Sequence, residues 1–160
     1  MIYIAHRGNT SGPNPSRENQ PNYINEALAL GYHVEIDVWL SGNNYYLGHD
    51  RPEYIVSDEF LLTPNLWIHC KNLSALDSLI LEPEINCFGH DKDDYVLTSK
   101  SYLWCFPNIK NRLTPNCIAV LPEKISGWDI SKAGGICSDY LSFYDPNYGG
   151  LMFEHVEIQY

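Results

Sequence analysis

A chain of 160 residues with 44% apolar content suits one domain with one ordinary core and excludes a disordered polypeptide. Its formal charge of −10, from 20 acids against 10 bases, argues against nucleic acid as a partner, because no Lys/Arg cluster is present to hold a phosphate backbone. No apolar run approaches the roughly 20 residues of a membrane span, no charged-then-apolar leader precedes Ala5, and the five cysteines form no C-x-x-C pair, so a reduced, cytoplasmic setting is expected.

In chain order, the first strand is Ile2–Ala5. A polar, Asn- and Pro-rich loop over 9–19 leads to a helix at Asn22–Leu30, where Tyr23, Ala27 and Leu30 share one face and Gly31 is a natural stop. Strands follow at Val34–Val38, Tyr45–Leu47 and Leu66–Cys70. A second helix, Ser74–Leu81, is capped by Ser74 and stopped by Pro83. Four more strands are Ile85–Phe88, Tyr102–Phe106, Cys117–Leu121 and Gly135–Cys137, and Ile130–Ala133 reads as a single helical turn. Eight strands with helical crossovers predict an α/β fold: one domain over residues 1–160, a small TIM-like (β/α)8 barrel with several helices shortened or missing. An open α/β sheet is the competing arrangement, because the barrel ordinarily takes about 250 residues.

The stretch VEIDV carries an unusual pair. Alternation turns Glu35 and Asp37 to one face, roughly 7 Å apart at Cα, and turns Val34, Ile36 and Val38 to a helix layer on the other. Two buried carboxylates cannot both stay ionised without a compensating charge, and a hard divalent cation supplies one. A face wetted by solvent would tolerate them as well.

The neighbours sharpen the reading. His6-Arg7-Gly8 ends the first strand, Glu18-Asn19 precedes the helix, and His49-Asp50 follows the third strand. The string HRG…EN…EAL…GY…EIDV…HD over residues 1–50 resembles the glycerophosphodiester phosphodiesterase family of metal-dependent, phospholipase-C-like barrels. WIHCK, INCFGH and GGICSD resemble its later strands more faintly. The resemblance implies a phosphoric diester hydrolase acting on a small-molecule, glycerophosphodiester-type substrate. It makes His6 and His49 the acid–base pair, Arg7 and Lys71 phosphate-binding, and Glu35 and Asp37 metal ligands for Mg²⁺ or Ca²⁺.

One departure stands out. Where the family has an acid in an E-x-K pattern, this chain has His69-Cys70-Lys71. Either His69 replaces the acid as the third ligand, which would favour Mn²⁺ or Zn²⁺, or the site is weaker. A degenerate member that binds a phosphorylated ligand without turnover is therefore the alternative. Glu18 is expected to structure its loop or to bond His or Arg in the site, Asp50 to orient the neighbouring backbone or His49, and Asp139 to be a structural acid; His90 is expected in a surface loop, with lining of the site's mouth as the alternative. Trp104 and Phe106 are expected to pack in the core, with an apolar wall for a substrate as the alternative. No role is assigned to His33 or His155.

Overall fold

A computed structural model describes residues 1–108, 110 and 112–148. Its centre is a set of parallel strands. β1 (Ile2–His6) lies between β2 (His33–Ser41) and β10 (Gly135–Ser138). Beyond β2 come β5 (Leu66–Cys70) and β6 (Cys87–Phe88). Beyond β10 come β9 (Cys117–Val120) and β8 (Leu103–Cys105). Three further strands run antiparallel. β3 (Asn44–Leu47) folds back on the end of β2, β4 (Tyr54–Val56) pairs with β3, and β7 (Tyr95–Leu97) pairs with β8.

The sheet is strongly curled. Trp67 on β5 and Trp104 on β8 are five strand-to-strand steps apart along the sheet, which is roughly 24 Å in a flat one. Their ring centroids nevertheless lie 5.7 Å apart. The inner face closes on itself as an apolar plug of Ile4, Trp67, Phe88, Trp104, Ile118, Val120 and Cys137.

This corrects the expected TIM-like (β/α)8 barrel. The described residues form a curled mixed sheet, a half-barrel with four short helices, and their strands do not alternate with helices along the chain. Among the described residues no ladder joins β6 to β8. The edges meet there through ring contacts and through Ser99, whose N–H donates to the Cys87 carbonyl (2.8 Å) and whose Oγ accepts from the Cys87 N–H (3.0 Å). Tyr45–Leu47 is a hairpin arm and not a barrel strand, because the two-residue Gly42-Asn43 turn reverses the chain. Ile130–Ala133 is not helical, and the β9–β10 connection contains only a 3₁₀ turn at Pro122–Lys124. The connections before β9 and β10 carry Pro107, Pro115 and Pro122, and proline both removes a helical N–H donor and disfavours helix at the preceding residue.

Among the described residues, helices cover the outer face beside β1, β2, β5 and β6. α1 (Pro21–Ala29) begins with Pro at its first turn, where the missing N–H costs nothing. α2 (Asp58–Leu61) is one turn capped by Ser57. α3 (Leu73–Leu79) is capped by Asn72, whose side chain accepts from the Ala75 N–H, so the cap lies two residues before the Ser74 expected. α4 (Leu141–Tyr144) follows β10. Val34, Ile36 and Val38 are fully buried against Ile24 and Ala27 of α1 and Ala75 and Leu79 of α3. Each such side chain contributes about 1.5–3 kcal/mol through burial. That packing pins the register of β2 and so turns Glu35 and Asp37 inward. Among the described residues no helix is long and apolar enough to cross a membrane, and the five cysteines are buried free thiols. His155 lies outside the described residues.

Candidate active site

The carboxyl ends of β1, β2 and β5 meet at one end of the sheet. The parallel register pairs His6 with Glu35 and Asp37 with His69. Glu35 (3% exposed) and Asp37 (fully buried) form a cluster with His69 in which one potential ligand atom from each lies within 4.8 Å of the others. His69 is held flat against Phe88 of β6, with centroids 5.2 Å apart and planes 3° apart.

The two acids are served unequally. Asp37 has Arg7 Nε 3.0 Å from Oδ2, His69 Nδ1 3.0 Å from Oδ1 and Lys71 Nζ 3.4 Å from Oδ1. Asn19 adds a two-point clamp: its Nδ2 donates to Asp37 Oδ2 and its Oδ1 accepts from the Asp37 N–H, both at 2.9 Å. Burial works to raise Asp37, but His69, Arg7 and Lys71 outweigh it and hold the carboxyl well below the usual range. Glu35 has only His69 Nδ1 at 3.8 Å and His6 Nε2 at 3.9 Å. Burial, reinforced by the Asp37 charge, raises it above the ordinary carboxylate value. Among the described residues, Glu35 Oε2 and Asp37 Oδ1 are both sealed from solvent without a hydrogen-bond partner; His6 Nε2, at 3.9 Å, is too far from Glu35 Oε2 to donate to it. Orphaned buried carboxylate oxygens beside an imidazole suit a divalent cation, so the donor set fits one.

The loop after β1 builds the rest. Arg7 and Asn19 both adopt left-handed backbone conformations (φ 53° and 61°), uncommon for residues with a Cβ and frequent at functional sites. Gly8 between them (φ 92°) is required, because a Cβ would stand 2.8 Å from the Tyr23 ring. The Arg7 N–H donates to the Glu35 carbonyl at 2.9 Å, and the Asn19 N–H to the Arg7 carbonyl at 3.2 Å. Glu18 Oε2 accepts from Arg7 Nη1 (3.1 Å) and Oε1 from Asn9 Nδ2 (2.9 Å), so Glu18 braces the loop as expected. Arg7 therefore does not offer an open fork: Nη1 and Nε are engaged, and Nη2 is the remaining arm.

His6 is oriented from behind. Its Nδ1 lies 2.7 Å from Asp139 Oδ1, leaving Nε2 toward Glu35. Burial disfavours the imidazolium, yet the Asp139 hydrogen bond and the Glu35 charge outweigh it and raise the His6 pKa. Asp139 is pushed up by burial but held below its usual value by His6 and Asn9. Asn9 Nδ2 donates to it at 2.8 Å, and Glu123 Oε1 accepts from its backbone N–H at 3.0 Å. His49 lies after β3, 44% exposed, with Nδ1 2.7 Å from Asp50 Oδ1.

A cavity of about 380 Å³ joins these groups. His6, Arg7, Glu35, His49, His69 and Lys71 line it, so six of the seven candidates border one space, and the seventh, Asp37, lies directly beneath. Trp104 and Phe106 border it too, and so does His90, which is not a free surface residue. Its ring stacks on Phe106, and burial lowers its pKa. A second space of about 300 Å³, between Tyr45, Leu61 and Leu79, is remote from this chemistry. His33 accepts from Trp67 Nε1 at 3.0 Å and has a packing role. Sequence reasoning gave no role to Asn9 and none to Asn19 beyond its place in the motif. Asn19 was visible only as half of Glu18-Asn19, and Asn9 carried no signal, since both act through loop geometry. No protein-family model, curated protein or solved structure matches the chain.

Proposed function

We propose that the protein is a metal-dependent phosphodiesterase that cleaves a glycerophosphodiester-type substrate with two histidines. The observation that carries this reading is the convergence of Glu35, Asp37 and His69 beside His6, Arg7, Lys71 and His49 in one cavity. The resemblance of HRG…EN…EIDV…HD to glycerophosphodiester phosphodiesterases supports it independently of the fold. Such a site answers the charge problem of an acidic protein that binds an anion.

Glu35, Asp37 and His69 would hold the cation, which when bound neutralises charge that develops on the phosphoryl oxygens. Arg7 Nη2 and Lys71 Nζ bind the non-bridging oxygens. A hydroxyl of the alcohol next to the ester oxygen attacks phosphorus. One histidine takes its proton as the new P–O bond forms, while the other protonates the leaving alkoxide as the old P–O bond breaks. The cyclic phosphate is then opened by water with the histidine roles reversed. The Asp139 hydrogen bond to Nδ1 keeps His6 Nε2 as the working nitrogen. A small-molecule substrate, no role for nucleic acid and a cytoplasmic setting belong to the same reading. Buried free thiols suit a reducing compartment.

The second reading, a degenerate binder without turnover, is favoured by His69 standing where the resemblance implies an acid. The test is release of phosphate ester from glycerophosphocholine, with and without chelator. Chelator-sensitive release is expected. Ligand binding without release supports the binder, and neither result removes both readings.

A further inference from the structure

The chemistry above uses the β1, β2 and β5 side of the cavity. The opposite side consists of Trp104 and Phe106 from β8 and its end, Val120 and Leu121 from the end of β9, and His90 just past β6. His90 and the exposed Asp91 are its polar members. The His90 ring lies on Phe106, with centroids 3.6 Å apart and planes 17° apart, and faces His69 at 6.1 Å. A ring stacked in this way is pre-positioned, so little freedom is lost when it binds a ligand.

Its nitrogens are treated differently from those of its neighbours. Asp139 engages His6 Nδ1, and Asp50 engages His49 Nδ1. His90 Nδ1 is sealed from solvent and has no hydrogen-bond partner among the described residues. The ring borders the cavity, and Nε2 is its remaining polar atom. Among the described residues nothing holds the proton on Nδ1, so a neutral ring can present Nε2 as donor or acceptor. A hydroxyl is likewise both donor and acceptor.

We propose that His90 is a specificity-determining contact for the alcohol half of the substrate, hydrogen-bonding a hydroxyl of a compact polyol whose carbons rest on Phe106, Trp104 and Leu121. The inference rests on the phosphodiester reading of the same cavity. Arg7 and Lys71 claim the phosphoryl group on one side, so an alcohol directed away from them meets the His90 wall. The volume of about 380 Å³ is near the small end for ligand sites and favours a short polyol over a long chain.

The test compares the parent with His90→Phe, which keeps a ring on Phe106 but removes both nitrogens. Calorimetric titrations use inorganic phosphate and sn-glycerol 3-phosphate, each with Mn²⁺ present. The parent is expected to bind glycerol 3-phosphate more tightly than phosphate. His90→Phe should lose about five- to tenfold for glycerol 3-phosphate, the size of one hydrogen bond, with phosphate affinity unchanged. His90→Ala needs no room for a second ring, should show the same selective loss, and serves if the Phe variant does not fold. Equal losses for both ligands, no loss for either, or a parent that does not discriminate between them overturns the role of His90. A parent that binds neither ligand defeats the phosphodiester reading itself, a separable failure.

Discussion

Glu35→Gln tests the electrostatic core of the site without relying on turnover. Ligand oxygens of Glu35 and Asp37 lie within 4.8 Å of each other. At an effective dielectric of about 20, two unit charges at that separation repel by about 3 kcal/mol. Asp37 has the Arg7, His69 and Lys71 nitrogens at 3.0–3.4 Å, whereas the nearest to Glu35 are imidazole nitrogens at 3.8 and 3.9 Å. Neutralising Glu35 removes the repulsion and the cost of burying its charge, but forfeits weaker attraction to His6, His69 and Arg7. A net stabilisation of about 1–2 kcal/mol is expected in chelator at pH 8, or about 3–6 °C in melting temperature for a domain of this size.

The sign follows from linkage. A carboxyl whose folded-state pKa is raised destabilises the fold as pH rises from the unfolded value through the raised one, so the advantage of Gln grows with pH and vanishes as pH falls toward about 4.3. Metal should invert the order. At a hundredfold excess over its dissociation constant, a cation stabilises the parent by about 2.7 kcal/mol, whereas the variant, which lacks one ligand charge, gains little. Thermal melts of both proteins in chelator and in Mn²⁺ measure this. A variant no more stable than the parent in chelator, or one that gains the full metal shift, refutes the reasoning.

His49→Ala should lower turnover about a hundredfold or more and leave the melting temperature within error, since the side chain is 44% exposed; near-parental turnover would remove its acid–base role. Asp139→Asn should cost at least about tenfold in turnover by loosening His6. Asp139 is depressed in the folded state, so its stabilisation is present above about pH 3.9 and lost as pH falls through the lowered value; the gap between parent and variant urea midpoints should therefore narrow toward pH 3. His69→Glu should raise Mg²⁺ affinity and His69→Ala should weaken Mg²⁺ and Mn²⁺ alike; calorimetry that finds His69→Ala indistinguishable from the parent removes His69 from the ligand set.

Much of the candidate site was legible because it depends on a local rule. The period of two along a strand assigns Glu35 and Asp37 to one face and Val34, Ile36 and Val38 to the other, whatever the strand pairs with. His6, His49 and His69 were legible as residues at the ends of apolar runs. The hairpin could have been read as well, since Gly42-Asn43 between two β-like runs is a two-residue turn signal. Pairing across the sheet was not legible. Equivalent short apolar runs became parallel core strands, as in Cys117–Val120, or an antiparallel arm, as in Asn44–Leu47, and no local pattern separates them.

By itself, then, the sequence determined eight of the ten described strands and the two faces of β2, but not β4 or β7, because the alternation along a strand follows from backbone geometry within a few residues. Only the tertiary structure decided that the sheet curls without closing. Only it brought Asn19 onto Asp37 and Asp139 onto His6 across 18 and 133 residues, and laid His90 on Phe106. Those contacts depend on how the left-handed turns at Arg7 and Asn19 return the chain and on how the proline-bearing connections replace helices. They are outcomes of packing the whole sheet at once, which no single stretch of sequence encodes.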